Sequence, residues 1–383
     1  MREKPKKRKI VWQQYIAIGF FMLIGAVCGV LMMMYIEQAG GAGKPLHEKI
    51  LSLIGLFLVM YVAIFMQLMI HEAGHLVFGL ISGYKFSSFR IFSFMWIKEG
   101  EKIKLRRLRI AGTGGQCLMS PPDMVDGRIP LVLYNLGGSL MNMIAGVFCL
   151  GMRLVFADIP FFATVMLFFA VTGFILAIMN GIPMRMGMVD NDGYNAFSLT
   201  RNLEAMRSFW IQMKANEQLA KGVRLKDMPE EWFAVPSDEA MKNGMVAVMG
   251  VFASNRLMEA QQFEEADKLM AHILEIDSGM VDLHRRLMIC DRMYIELITE
   301  NRKEVLDSMS TKEQKKFMKQ MKNFPSVLRT QYVHALLFEK DTAKADKFKV
   351  QFEKCARTYP YPNDIQSERE LMEIADHIYG GAK

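Results

Sequence analysis

The pattern of apolar and polar positions divides the chain at about residue 200. Before this point lie four long apolar runs, which cover residues 10–36, 50–81, 129–156 and 159–182. Each run is long enough to cross the roughly 30 Å of hydrocarbon in a bilayer as a helix that rises about 1.5 Å per residue. We therefore predict a mainly α-helical protein with about four transmembrane helices, followed by a region that alternates charge with apolar residues at helical spacing.

The first apolar run follows a basic segment, residues 1–9, which carries six lysines and arginines against one glutamate. A signal peptide can begin in the same way. However, the run is longer than the roughly 7–15 residues of a signal-peptide core, and no small-residue cleavage site precedes Glu37. The sequence therefore favours an uncleaved membrane anchor.

The charge distribution predicts the orientation of the spans. Nine lysines and arginines lie between the second and third runs, whereas the other two connections are short and poorly charged. By the positive-inside rule, the N-terminus, this basic segment and everything after the fourth span are cytoplasmic. The net charge of +7 thus follows the membrane topology, and the five scattered cysteines indicate neither a disulfide framework nor a thiolate metal site. We predict a multi-pass protein of the cell membrane that does not bind nucleic acid.

The basic segment between the second and third spans changes to a period of two. Apolar and polar residues alternate within residues 86–97 and 102–106, on either side of a turn at residues 98–101. This pattern predicts a small membrane-associated β-hairpin. Its charges and aromatic residues could hold it at the anionic membrane surface. Alternatively, its edge could add an extended substrate as a further strand. The sequence leaves both roles open.

The second span ends with the sequence His71-Glu72-Ala73-Gly74-His75. Residues four apart share one face of a helix, so His71 and His75 can converge on one metal ion while Glu72 lies beside it. Ionisable side chains in a membrane span are costly unless they face the protein interior, which favours a functional role. The pattern predicts two zinc ligands and a catalytic base.

A catalytic zinc usually has three protein ligands, so one more must come from elsewhere in the chain. The best candidate is Asp192, which follows the fourth span; Asp190 is the alternative. The second and fourth spans are predicted to end on the same side of the membrane, so Asp192 can reach His71 and His75. The pair Asp126-Gly127 precedes the third span and is typical of a turn.

These residues resemble the site-2 proteases, a family of intramembrane zinc metalloproteases. The resemblance depends on H-E-x-x-H in a transmembrane helix and, two spans later, on N-x-x-P at residues 180–183 followed by Asp192-Gly193. It covers about residues 50–200 and implies that His71, His75 and Asp192 bind Zn²⁺, with Glu72 as the base. It also implies that regulatory or precursor membrane segments are the substrates. The spacing between the proline and Asp192 is longer than is common in the family, which is why Asp190 stays open.

The third span contains several small residues, which permit close packing between helices. It also contains Asn142 in a G-x-x-x-N pattern that again resembles the family. This asparagine could hydrogen-bond the substrate backbone or orient a metal ligand. Packing of the small residues is the simpler explanation of the segment.

Residues 201–383 are predicted to form a cytoplasmic helical domain, after a tail, anchor and external loop at residues 1–49 and a protease core at residues 50–200. The triplets Ala266-Asp267-Lys268 and Ala345-Asp346-Lys347 occupy matching places in two predicted helix pairs, which resembles a tetratricopeptide unit. The triplets are 79 positions apart, which is not a multiple of the usual repeat of about 34 residues. A degenerate repeat and a generic helical domain both remain open, and either could bind a cytoplasmic protein partner.

The sequence therefore predicts an intramembrane zinc metalloendopeptidase that cleaves a membrane-embedded or membrane-proximal segment of a membrane protein or peptide precursor. A catalytically idle membrane scaffold is the alternative from another class, although it would not need Glu72. A membrane zinc hydrolase that acts on another kind of bond also remains open, because a zinc-activated water does not specify its substrate.

Overall fold

The structure is a computed structural model that describes residues 12–38, 43, 45–108, 114–184 and 190–381. Two compact units are present. The first comprises residues 1–83 and 130–201, and the second comprises residues 84–129 and 202–383. The segment between the second and third predicted spans therefore clusters with the C-terminal helices.

The described residues of the first unit form five helices, whose bounds are α1 (Trp12–Gln38), α2 (Leu46–Ile81), α3 (Leu131–Val155), α4 (Pro160–Gly181) and α5 (Asp192–Arg201). Among the described residues, α2, α3 and α4 are long and apolar enough to cross a membrane. Their bounds lie close to three of the predicted runs. A mainly helical fold is thus confirmed, and the length and composition of these three helices indicate membrane association.

The first predicted span, residues 10–36, coincides largely with α1. The side chains of several residues in the first half of α1 lie outside the described part of the chain, and the apolar helix found among the described residues, Gly25–Glu37, is shorter than a membrane span. Cys28 and Met32 of α1 are buried in an apolar cluster with residues of α2 and α4. The basic tail at residues 1–9 and the start of the run lie outside the described residues, so the fourth span and the orientation stay predictions.

The helices of the first unit approach closely where both carry glycine. A Cβ on Gly74 of α2 would overlap the carbonyl oxygen of Gly137 in α3, and a Cβ on Gly137 would lie 2.7 Å from the oxygen of Gly74. Any larger side chain at either position would force the two backbones apart. The small residues of the third span thus have the packing role that the sequence predicted.

The second unit begins with a four-stranded antiparallel sheet of order β3-β2-β1-β4. Its strands are β1 (Lys85–Ile91), β2 (Phe94–Glu99), β3 (Lys102–Arg107) and β4 (Gly115–Ser120). The predicted hairpin with its turn corresponds to β2 and β3. The prediction of a two-stranded hairpin was wrong. Residues 86–97, which were predicted as one strand, form parts of two strands, β1 and β2, with a turn between them at Phe92, where φ is +51°. No glycine, asparagine or proline marks this turn in the sequence.

One face of the sheet belongs to the core of the second unit. Met95 and Ile97 of β2 are buried in the same apolar cluster as residues of the C-terminal helices. The backbone N–H of Arg107 donates to the carbonyl oxygen of Thr358, 2.8 Å away. The opposite face exposes Phe94 and Trp96. The sheet is therefore integrated into the C-terminal unit through one apolar face.

The remainder of the second unit is helical. Several helices begin at a side-chain cap: the Asn202, Asn243, Thr311 and Asp341 side chains each accept a hydrogen bond from a backbone N–H of the first turn. The helices are α6 (Leu203–Ala220), α7 (Gly244–Glu259), α8 (Phe263–Glu275), α9 (Asp282–Ile298), α10 (Lys303–Met309), α11 (Lys312–Gln320), α12 (Pro325–Val333), α13 (Thr342–Ala356) and α14 (Pro362–Gly381). A π-helical turn, His334–Phe338, extends α12.

The two triplets that suggested a repeat occupy equivalent places in α8 and α13. Each helix follows a turn with a residue at positive φ, Gln261 at 59° and Lys340 at 56°. Five positions after each of these residues is a fully buried alanine, Ala266 or Ala345. The two helix pairs therefore share a turn and a packing position, and a tetratricopeptide-like array stays a prediction.

Candidate metal centre

Three potential ligand atoms converge in the first unit, from α2 and from the first residue of α5. The Nε2 atom of His71 lies 3.2 Å from the Nε2 atom of His75. The Oδ2 atom of Asp192 lies 3.0 Å from the first nitrogen and 3.4 Å from the second. Ligands bonded at about 2.0–2.1 Å to one tetrahedral ion would be about 3.3 Å apart. The triangle therefore has the dimensions of a tetrahedral metal site with three protein ligands.

The hydrogen bonds on the outer side of the imidazoles determine which nitrogen carries a proton. The Nδ1 atom of His75 lies 2.8 Å from the carbonyl oxygen of Tyr134, which can only accept, so Nδ1 carries the proton. The Nδ1 atom of His71 lies 2.8 Å from Oδ1 of Asn142. The amide nitrogen of Asn142 donates to the carbonyl oxygen of Gln67, so its oxygen must face His71. Both Nε2 atoms therefore present lone pairs to the centre of the triangle.

This donor set suits a cation. Two nitrogen lone pairs and a carboxylate oxygen face one another without a hydrogen-bond donor of their own, and His71 and His75 are buried. Buried acceptors at such distances repel one another unless a proton or a positive ion lies between them. Nitrogen and carboxylate ligands are those that Zn²⁺ takes in catalytic sites.

A buried amide network fixes the orientation of His71. Asn142 in α3 is fully buried, and its Nδ2 donates to both the backbone oxygen and Oε1 of Gln67, at 2.8 Å each. Gln67, one turn before His71 in α2, donates from Nε2 to the carbonyl oxygen of Phe169 in α4. Both the oxygen and the nitrogen of the Asn142 amide are thus hydrogen-bonded, and the network connects His71 to α2, α3 and α4. Such outer partners hold the tautomer and direction of metal-binding histidines.

A glycine makes room for the imidazole of His71. A Cβ on Gly138 of α3 would lie 2.5–2.6 Å from three atoms of this ring. A real Cβ does not approach ring atoms so closely, so any other residue at this position would displace the imidazole. The G-x-x-x-N pattern of α3 therefore supplies both the space for the ring, at Gly138, and its hydrogen-bond acceptor, at Asn142.

Asn191 positions Asp192. Its Oδ1 accepts from the backbone N–H groups of Met184 and Tyr194, at 2.9 Å each. Its Nδ2 donates to the carbonyl oxygens of Met179 and Ile182, at 2.7 and 2.6 Å. The Asn191 amide thus accepts two hydrogen bonds and donates two, so one buried side chain links the end of α4 to the start of α5. Residues 185–189, between these two ends, lie outside the described residues.

Gly193 allows α5 to approach the end of α4, since a Cβ there would overlap the carbonyl oxygen of Gly181. When a proton takes the place of the cation on either Nε2 atom, its charge and hydrogen bond hold the pKa of the Asp192 carboxyl below its usual range, against the effect of burial. Asp192 is therefore ionised at neutral pH. A carboxylate is the form in which it can act as a metal ligand.

Glu72 lies next to His71 in α2 and is also buried. It is close enough to His75 to interact with it electrostatically. The helix turns by about 100° between neighbouring residues, so this carboxyl group is directed beside the ligand triangle and is not one of its corners. This is the arrangement in which a carboxylate can exchange a proton with a molecule at the centre.

The structure thus brings together His71, His75 and Asp192, the first choice for the third ligand. Asp190 is described but is not part of this group. The sequence prediction missed Gln67 and Asn191. Gln67 had a detectable signal, because it is a polar residue in an apolar run on the same helical face as His71. Asn191 had none, because its partners depend on how the chain folds back.

Comparison with known proteins adds no relative: no protein-family model, no curated protein and no solved structure matches this chain.

Proposed function

We propose that this protein is an intramembrane zinc metalloendopeptidase that cleaves a membrane-embedded or membrane-proximal peptide segment. The observation that carries the proposal is the triangle of two buried Nε2 atoms and one partly buried carboxylate oxygen, with edges of 3.0, 3.2 and 3.4 Å. Its dimensions and its donor types suit Zn²⁺. The neighbouring Glu72 supports a hydrolytic site over a purely structural one.

In this proposal, His71, His75 and Asp192 would hold the zinc ion through two imidazole nitrogens and one carboxylate oxygen. When bound, zinc supplies a Lewis acid that polarises a carbonyl group and lowers the pKa of water toward about 7. Glu72 accepts a proton from the attacking water as the tetrahedral carbon forms. It then returns that proton to the leaving amine.

The residues around the ligands would keep the site ready for this chemistry. Asn142 and Gln67 hold His71 in the tautomer whose Nε2 lone pair faces the metal. The backbone oxygen of Tyr134 does the same for His75. Because these partners lie inside the helix bundle, the imidazoles need not reorganise when the metal or the substrate binds. An idle scaffold would need neither this network nor the base.

The location of the site favours a membrane substrate. About 21 mostly apolar residues, from position 50 to position 70, precede His71 and correspond to about 31 Å of helix. With the four spans and cytoplasmic termini predicted from the charges, the metal would lie near the cytoplasmic face. The resemblance to site-2 proteases supports the same class of substrate, a segment of a regulatory membrane protein or of a peptide precursor.

A cleavage assay on Glu72→Gln tests this function. The protein would be reconstituted in lipid vesicles with a library of single-span peptides, and the products identified by mass spectrometry. We expect the wild type to hydrolyse peptide bonds and Glu72→Gln to lose at least about 100-fold in rate. Glu48→Gln is the matched control, since Glu48 is exposed in the first turn of the same helix. Equal cleavage by Glu72→Gln and the wild type would contradict the proposal.

A further inference from the structure

The C-terminal helices enclose a cavity of about 440 Å³ in the second unit. It is lined by residues of α9, α11, α12 and α13, by His334 of the π-helical turn, and by Ser310 and Lys322, which follow α10 and α11. This volume is within the range of sites that bind small molecules or peptide side chains, roughly 300–1,000 Å³. The cavity contains none of the residues assigned to the metal centre.

The floor of the cavity is apolar. Met293 and Met318 are buried, and the ring of Phe348 is partly buried. Methionine side chains are flexible and polarisable, so they adapt to apolar groups of different shapes. The floor can therefore accept one apolar side chain.

The rim of the cavity is positively charged. Lys315, Lys319 and Lys322 line it along one side of α11 and the residues after it. In the part of the chain that the structure describes, no carboxylate pairs with any of these three lysines. Lys344, also in the lining, is paired with Glu339 at 2.6 Å. Three positive charges thus remain uncompensated at the opening, which favours an acidic ligand.

Gln331 and His334, which also line the cavity, limit the kinds of ligand that it can bind. The Oε1 atom of Gln331 is buried and has no hydrogen-bond partner among the described residues, so it requires a donor. Burial, together with the charges of Lys344 and Lys315, lowers the pKa of His334, so this imidazole is neutral at neutral pH. An inorganic anion offers chiefly acceptors, whereas a peptide offers carboxylates and backbone N–H donors together.

We propose that this cavity binds a peptide segment of a partner protein in which acidic residues flank one apolar side chain. The carboxylates pair with Lys315, Lys319 and Lys322, and the apolar side chain contacts the floor. A backbone N–H of the peptide donates to Gln331. This interaction does not depend on the metal centre, and its test requires no protease activity.

The test measures binding of a short fluorescent peptide, a phenylalanine flanked on both sides by glutamates, to the full-length protein in detergent micelles. Fluorescence anisotropy gives the affinity. One variant removes the three uncompensated charges of the rim: Lys315→Gln, Lys319→Gln and Lys322→Gln. A matched control removes three exposed lysines outside the lining: Lys303→Gln, Lys312→Gln and Lys316→Gln. The two variants have equal net charge.

We expect the rim variant to bind the peptide at least about tenfold more weakly than the wild type, and the control variant to bind it within about twofold. The wild-type affinity should fall as salt is added, because charge pairs at an exposed rim are screened. A peptide with glutamine in place of glutamate, or alanine in place of phenylalanine, should also bind more weakly.

Three results would overturn the proposal. The first is that the acidic peptide does not bind to the wild type. The second is an equal loss of affinity in both lysine variants, which would indicate attraction by net charge alone. The third is displacement of the peptide by inorganic phosphate at equal concentration, which would indicate a simple anion site. Thermal unfolding of both variants checks that each one is folded.

Discussion

Replacing Asn142 by alanine removes the hydrogen-bond acceptor of His71 without touching a metal ligand. The wild-type side chain makes three hydrogen bonds of 2.8 Å, one to the imidazole and two to Gln67. Loss of such an outer partner typically lowers metal affinity about 10–100-fold, which is about 1.4–2.7 kcal/mol. The substitution also leaves the buried side-chain oxygen of Gln67 without its hydrogen-bond donor, which lowers the free energy of unfolding by about 1–3 kcal/mol.

The assay is a zinc competition titration with a chromophoric chelator on the purified protein in detergent. Asn135→Ala is the matched control, because Asn135 is a buried asparagine of the same helix whose Nδ2 donates to the carbonyl oxygen of Leu131, one turn earlier. We expect zinc affinity to fall in Asn142→Ala and to stay at the wild-type value in Asn135→Ala. Unchanged zinc affinity in Asn142→Ala, with only a raised KM for peptide cleavage, would refute the positioning role and favour direct substrate contact.

Three further predictions concern single positions. Gly138→Ala should displace the imidazole that packs against it and lower zinc affinity at least about tenfold, whereas Gly151→Ala, where a Cβ would meet nothing within 4 Å, should not change it. Asp192→Asn should lower zinc affinity about 100-fold or more, and Asp190→Asn should retain it; the reverse result in the same titration would assign the third ligand to Asp190. Burial raises the pKa of Glu368 to about 7 from an ordinary value of 4.5. The unfolded chain therefore loses this proton at a lower pH than the folded protein does, and the free energy of unfolding falls by at most about 3 kcal/mol as pH rises from about 4.5 to about 7. Glu368→Gln should reduce the decline in the free energy of unfolding between pH 5 and pH 8, measured in denaturant, while Asp364, whose pKa burial also raises to about 7, accounts for a further decline. An unchanged decline would contradict the buried Glu368 as one of its causes.

The parts of the fold that depend on local periodicity could be predicted from the sequence. The bounds of α2, α3 and α4 follow from continuous apolar runs, and a helix necessarily places His71 and His75 on one face. Asp192 could be chosen because two predicted spans return the chain to the same side of the membrane. These inferences use only helix geometry and hydropathy.

The parts that depend on tertiary contacts could not be predicted. The turn at Phe92 and Ser93 contains no glycine, asparagine or proline, so the sequence predicted one strand where the structure has two. Strand β4 pairs with β1, although β2 and β3 separate the two strands in sequence. The role of Asn191 depends on four backbone groups from two helix ends, which no sequence spacing specifies. The basic cavity likewise depends on how the successive helices α9 to α13 pack together, which the spacing of their residues does not specify.

The assignment of His71, His75 and Asp192 as zinc ligands is tested most directly by metal analysis of the purified protein. Mass spectrometry of the metal content would compare the wild type with His75→Ala after identical purification in detergent. We predict about one zinc ion per wild-type chain and almost none in His75→Ala. A wild-type protein that holds no zinc when zinc is supplied, or a His75→Ala variant that holds as much as the wild type, would contradict the account.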